Sequence, residues 1–267
     1  MNRALFVQTL RSQWLKLLLV SLALLGWGAL MPIIYGAFGQ DFKSLVGSGT
    51  LPPQLANFGG GDLFSLGGII ALGFIHPIAI GLNLVFATAF AVSAVAGERQ
   101  RGTLEVLLSR PLGRRTVYST LAISLVIFIG VTEASFVVGA LIGSIVAGVS
   151  GELATSNLPI LWLNGVLLFS ALAAVALAAS VSFDRVSPAA GITLTVVIVE
   201  YFLYVLGTLW PDAKWLQPYS LFDYVDAKAV LAGLADKSDF LLLGAVTVIA
   251  AVFALVVFPR RDLAAPS

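Results

Sequence analysis

The sequence contains no cysteine and a single histidine. The first absence excludes disulfide frameworks, thiolate metal sites and a cysteine nucleophile. One imidazole, His76, cannot assemble a metal cluster, and a structural hydrogen bond is its expected role. Charge is scarce too: Asp, Glu, Lys and Arg make up 11% of 267 residues, against about 25% in a soluble domain. That deficit excludes an ordinary water-facing surface. No G-x-x-x-x-G-K-[ST] phosphate loop occurs, so any nucleotide chemistry of that kind belongs to another polypeptide. The aspartates lie outside the apolar stretches, which leaves no intramembrane aspartyl pair. The run Gly47-Ser48-Gly49 lacks the first glycine of a rhomboid-like nucleophile motif. No catalytic residue, bound cofactor or metal site is expected in this chain, and the net charge of +1 gives no reason to expect a nucleic-acid partner.

Hydrophobic residues are abundant, at 59%, and the mean hydropathy is +0.99. A spanning helix needs about 20 apolar residues. Such stretches fall at residues 17–37, 67–96, 117–148, 160–183, 188–209 and 239–258. The fold class is therefore an all-α membrane protein, one transmembrane domain over residues 1–267 with six helices. Residues 17–30 continue without a small-residue cleavage site, so the first span is read as retained. Ahead of it, Leu5, Phe6, Leu10 and Trp14 recur at helical spacing with Arg3, Gln8, Arg11 and Ser12 between them. This predicts an amphipathic interfacial helix over residues 1–16. Pro77, after His76, predicts a kink in the second span. Gly139, Gly143 and Ala147, four apart, predict close helix packing within one subunit.

Loop charge sets the orientation. Arg3, Arg11, Lys16, Arg99, Arg101, Arg110, Arg114, Arg115, Arg185, Arg260 and Arg261 fall on one side. Lys43, Lys214, Lys228 and Lys237 fall on the other. This division uses all 15 basic residues. It requires an even number of spans and places both termini in the cytoplasm, with the chain multi-pass in the cytoplasmic membrane. The Gly- and Pro-rich stretch 38–66 and the aromatic, acidic stretch 210–238 then lie outside. The latter is expected to form short re-entrant helices, with Trp210, Trp215, Tyr219 and Tyr224 at the interface.

Residues 97–116 carry more than topology. Leu104, Leu107 and Leu108 fall at i, i+3, i+4, Pro111 stops the helix and Gly113 permits a turn. A loop that only set orientation would need Arg and Lys alone, not Glu98, Glu105 and a leucine stripe. The segment resembles the type-2 permease family of exporter-type ATP-binding-cassette transporters. That family carries a pattern close to E-x-x-x-G-T-L-E-x-L-L-x-x-P-x-x-R between spans two and three. The matching positions are Glu98, Gly102, Thr103, Leu104, Glu105, Leu107, Leu108, Pro111 and Arg114. Residues 215–224, with Ser220-Leu221-Phe222-Asp223-Tyr224, resemble the family's stretch before the last span. Residues 258–263 resemble its basic exit from that span.

The resemblance implies a coupling helix within residues 97–116 that docks on a separate ATPase subunit. It implies two permeases, here a homodimer, with two ATPase copies that hold the ATP and Mg. It also implies an interfacial N-terminal helix, contact with membrane lipids, and export of a lipophilic drug, lipid or peptide, as in multidrug efflux.

Inside the spans, Glu133 and Glu200 are costly in hydrocarbon and therefore candidates for a translocation path, with Asn83 beside them. At 1.5 Å per residue Glu133 lies about 24 Å and Glu200 about 18 Å from the cytoplasmic ends of their helices. The alternative function is an ion-gradient-driven secondary transporter that uses Glu133 and Glu200.

Overall fold

The structure, a computed structural model, describes residues 2–48, 65–109 and 112–261, with the side chains of residues 40, 42, 43, 45–47, 105 and 107 outside that description. The described residues are helical, with no strand among them. Among the described residues, six helical stretches are long and apolar enough to cross a membrane.

Helix α1 (Arg3–Gly47) is continuous over 45 residues. No proline precedes Pro32 and a leucine-rich run carries the helix through residue 16, so the segment expected as a separate interfacial helix is the N-terminal part of α1. The Asn2 amide donates to Thr120 Oγ1 at 2.9 Å, while Gly28 sits against the backbone of Phe136. Between those points α1 advances about 39 Å where its neighbour advances about 24 Å, at 1.5 Å per residue. The first turns of α1 therefore run obliquely. At its other end α1 continues past the start of the loop expected over 38–66, and the Gly- and Pro-rich residues 49–64 of that loop lie outside the described residues.

The second span is broken where Pro77 requires it. Helix α2 (Leu66–Phe74) begins at Ser65, whose hydroxyl accepts from the Gly68 amide. Helix α3 (Pro77–Val92) restarts with Pro77 in its first turn, where a missing N–H costs nothing. His76 Nδ1 accepts from the Ile78 amide at 3.2 Å, so the lone histidine caps α3. A π-helical turn (Ser93–Gly97) and a short helical turn (Glu98–Gln100) follow. Next come α4 (Leu104–Leu108), α5 (Arg114–Val146), α6 (Leu158–Ser182) and α7 (Val186–Leu209). The stretch expected as re-entrant forms two 3-10 turns (Pro211–Tyr219 and Leu221–Tyr224) and the short α8 (Ala227–Leu231). Helix α9 (Lys237–Arg260) is last.

Helix α6 is the centre of the bundle. Its alanines and leucines are buried on nearly every face, against α3, α5, α7 and α9. The seam of α1 with α5 is built on absent side chains. A Cβ at Gly139 would fall 2.1 Å from Leu25 O, and one at Gly143 2.2 Å from Ala29 O. Close backbone approach of this kind replaces the hydrophobic drive that lipid cannot supply. The outer faces of α1, α7 and α9 remain apolar and exposed, as at Leu19, Ile198 and Val248, which suits a hydrocarbon solvent.

Contacts gather the connecting segments into two ends. Asn2, residues 98–101, Arg114, the turn 183–185 and residues 258–261 meet at one end. Residues 152–157 and 211–236 meet at the other, where Asn157 Nδ2 donates to Leu231 O and Tyr35 Oη to Glu152.

Candidate functional site

Residues 98–103 of the motif build a hydrogen-bonded turn that opens the hairpin. Gly102 has φ of 68°, the left-handed region that glycine enters without cost. The Thr103 amide bonds to Glu98 O and the Gly102 amide to Arg99 O, both at 2.9 Å. This is a Schellman stop, and it accounts for the glycine four residues after the glutamate. Glu98 then closes the turn from above. Its carboxylate pairs with Arg101 and accepts from Thr103 Oγ1 at 2.5 Å.

Leu104 is 1% exposed and turns into the bundle, with Leu108 packed against the core behind it. The leucines therefore anchor the hairpin, while Val106, 65% exposed, faces outward. Glu105 and Leu107 lie in α4 with their side chains outside the described residues, and Pro111 lies outside them altogether.

Arg114 has a role that spacing alone does not reveal. Its Nη1 donates to Phe258 O, Pro259 O and Arg261 O at 3.4, 3.2 and 2.5 Å. These carbonyls belong to the end of α9, where helical acceptors run out of partners and the dipole favours a cation.

Five residues whose contacts sequence reasoning missed fasten the hairpin to the bundle. Buried Arg99 reaches Asp184 in the α6–α7 turn at 2.6 Å. Arg261 holds the same carboxylate at 3.0 Å and donates to Val181 O. Gln100 Oε1 accepts from the Val186 amide at 2.9 Å. Ser180 Oγ accepts from the Val95 and Ala96 amides and donates to Val92 O, which stitches the π-helical turn to α6. The only signals in sequence are a serine near the end of an apolar span and an acid in a short basic turn. Ser180→Ala is expected to strip the acceptor from two buried amides, at a cost of about 1–3 kcal/mol. Thermal unfolding of the purified protein in detergent measures that loss.

Of the candidate path residues, Glu133 and Asn83 lie together and Glu200 lies apart. Glu133 is 1% exposed inside the bundle, packed so closely on Gly165 that a Cβ there would fall 2.3 Å from its Oε2. Its Oε1 has no hydrogen-bond partner. Asn83 lies on the adjacent face, where its Oδ1 accepts from Thr132 Oγ1 at 2.8 Å. Glu200 instead ties α7 to the far-end segment. Its Oε2 accepts from the Leu221 amide at 2.6 Å and its backbone carbonyl from Ser220 Oγ at 2.7 Å. An apolar groove of about 410 Å³ runs between α3 and α7, lined by Ile80, Leu84, Thr88, Leu194, Ile198 and Tyr201 among others. At the far end a second cavity, about 370 Å³, is lined by Lys214, Gln217, Asp223 and Asp226. Burial and then Asp226 hold the Asp223 carboxyl above the usual carboxylate range, with Lys214 opposing.

No curated protein matches the sequence. The sequence does match, over residues 6–263, the family described as ABC-2 family transporter protein. An integral membrane chain of six apolar helices, with its motif hairpin fastened to the bundle, fits that match from end to end. The chain thus belongs to the ABC-2 transporter family and is a membrane subunit of an ABC transporter, a kind of subunit that associates with an ABC ATPase.

Proposed function

We propose that this chain is the permease of an ATP-driven exporter, assembled as a homodimer with two ATPase subunits that bind ATP and Mg. The hairpin of residues 97–116 is its coupling element. One observation carries the reading: the hairpin exposes Val106 while Arg99, Gln100 and Leu104 bind it to the bundle. A segment built this way passes a push from a docked partner into α6, α7 and α9 together. The basic end of the bundle is the cytoplasmic end, since it gathers the first turns of α1, the hairpin, the α6–α7 turn and the end of α9. Both termini are therefore cytoplasmic, and Trp210, Trp215 and Tyr219, all exposed, sit at the outer interface.

The substrate face is the groove between α3 and α7, completed by the second permease. Its lining is almost wholly apolar, which favours a lipophilic drug, a lipid or a hydrophobic peptide. Glu133 and Glu200 do not line it, and Glu200 ties α7 to the far-end segment, so the ion-gradient alternative gains no support from their placement.

The test is ATP-dependent transport of candidate lipophilic substrates into vesicles that contain the chain with its ATPase. Replacing the exposed Val106 by aspartate, or Glu105 by lysine, is expected to leave the permease folded and to lower transport per ATP hydrolysed about tenfold, the equivalent of about 1.4 kcal/mol of coupling. Normal transport by a complex with those changes overturns the assignment.

A further inference from the structure

Between the first turns of α1 and the hairpin lies a groove of about 610 Å³, whose hairpin wall is Glu98, Arg101, Thr103 and the inner side of Val106. Gln8, Ser12 and Lys16 face it from α1, and their spacing of four puts them on one side of that helix. Arg101 faces it from the hairpin. Phe90 and Leu121, both nearly buried, form its inner wall. We propose that this groove holds the head group of an anionic glycerophospholipid from the cytoplasmic leaflet. The proposal does not depend on the exporter reading.

Charge complementarity is the first argument. The one carboxylate that lines the groove among the described residues, Glu98, is engaged by Arg101 and Thr103. Lys16 is exposed and makes no ion pair among the described residues. The lining therefore keeps an excess of positive charge beside the hydrogen-bond donors of Gln8 and Ser12, a set suited to a phosphodiester.

Position is the second argument. The apolar run of α1 starts directly after Lys16, and Leu15, Leu18, Leu19 and Leu22 are all exposed there. A phosphate held by Lys16 leaves its acyl chains against those leucines. The apolar inner wall accepts the glycerol and the first methylenes.

Native mass spectrometry of the purified full chain, released from nanodiscs of mixed phosphatidylglycerol and phosphatidylcholine, tests this. The wild-type protein is expected to retain phosphatidylglycerol in preference to phosphatidylcholine. Lys16→Gln is expected to lower phosphatidylglycerol retention about fivefold, the worth of one cation near a charged surface. Lys16→Arg should keep it, and Lys214→Gln, at the opposite end, should not change it. Glycerol 3-phosphate should compete poorly. Equal retention by Lys16→Gln and wild type overturns the proposal. So does displacement by glycerol 3-phosphate as effective as by the lipid, which would mark a soluble-phosphate site. A Lys16→Gln protein that keeps its lipid but loses its ATPase would assign the groove to the ATPase and equally overturn it.

Discussion

Leucine at Gly139 or Gly143 is expected to dissolve the bundle. Even a Cβ at either position would meet a backbone carbonyl of α1 at 2.1 or 2.2 Å. Neither helix can yield locally, because the contact is backbone on backbone over consecutive turns. Overpacking usually costs about 1–3 kcal/mol. A branched side chain forced into this seam should exceed the upper figure, which is a large share of a total stability of about 5–15 kcal/mol. Gly26→Leu is the internal control, since nothing lies within 4 Å of a Cβ there. It should shift stability by about 0.5 kcal/mol or less. Tryptophan fluorescence during thermal unfolding, with size-exclusion profiles, separates the two classes. If Gly139→Leu matches Gly26→Leu, α1 and α5 do not pack as described.

The second large effect is expected at Asp184. Its carboxylate holds both Arg99 and Arg261. Asp184→Ala removes this carboxylate from the buried Arg99 guanidinium and leaves Gln100–Val186 as the remaining described hydrogen bond between the hairpin and the start of α7. The stability cost should be about 1–3 kcal/mol, below that of a fully buried pair because Asp184 is half exposed. The functional cost should be larger. The ATPase can still dock on the hairpin, yet the hairpin carries α6 and α7 with it less firmly. Hydrolysis should persist while transport per ATP falls about tenfold. Asp184→Glu should recover part of the coupling, and exchanging the charges in an Arg99→Asp, Asp184→Arg pair should recover some of it as well. A merely destabilised protein would lose hydrolysis and transport together.

Much of this was legible before the structure. Hydropathy found the six apolar helices because a bilayer demands about 20 apolar residues per crossing. The proline rule found the break at Pro77, and spacing found the Gly139 and Gly143 seam. The hairpin motif was legible as a pattern, and the structure gives its reasons: Gly102 supplies a left-handed stop, Glu98 ties the turn, Leu104 anchors it.

The partners of that motif were not legible. Asp184 is one acid in a short turn, and Ser180 one small polar residue in an apolar helix. Their roles depend on α6 lying beside the second span, which no local pattern states. Arg114 was legible as a basic position of the motif, but its acceptors lie some 145 residues away at the end of α9. Continuity of α1 was hidden for the opposite reason. Amphipathic spacing describes which face is polar, not where a helix stops, and nothing stops it at residue 16.

The central claim is that hairpin and α6–α7 turn move as one body when the ATPases close. The absence of cysteine in this chain makes this measurable with a cysteine-free ATPase partner, since two introduced cysteines are then the labelling sites. Ser109 in the hairpin and Ser187 at the start of α7 are both exposed and suit spin labels. Pulsed electron resonance on the complex, with and without trapped ATP, should give an unchanged Ser109–Ser187 distance within one permease. The Ser109–Ser109 distance between the two permeases should change. A Ser109–Ser187 distance that shifts with nucleotide, in a complex that still transports, would contradict the account.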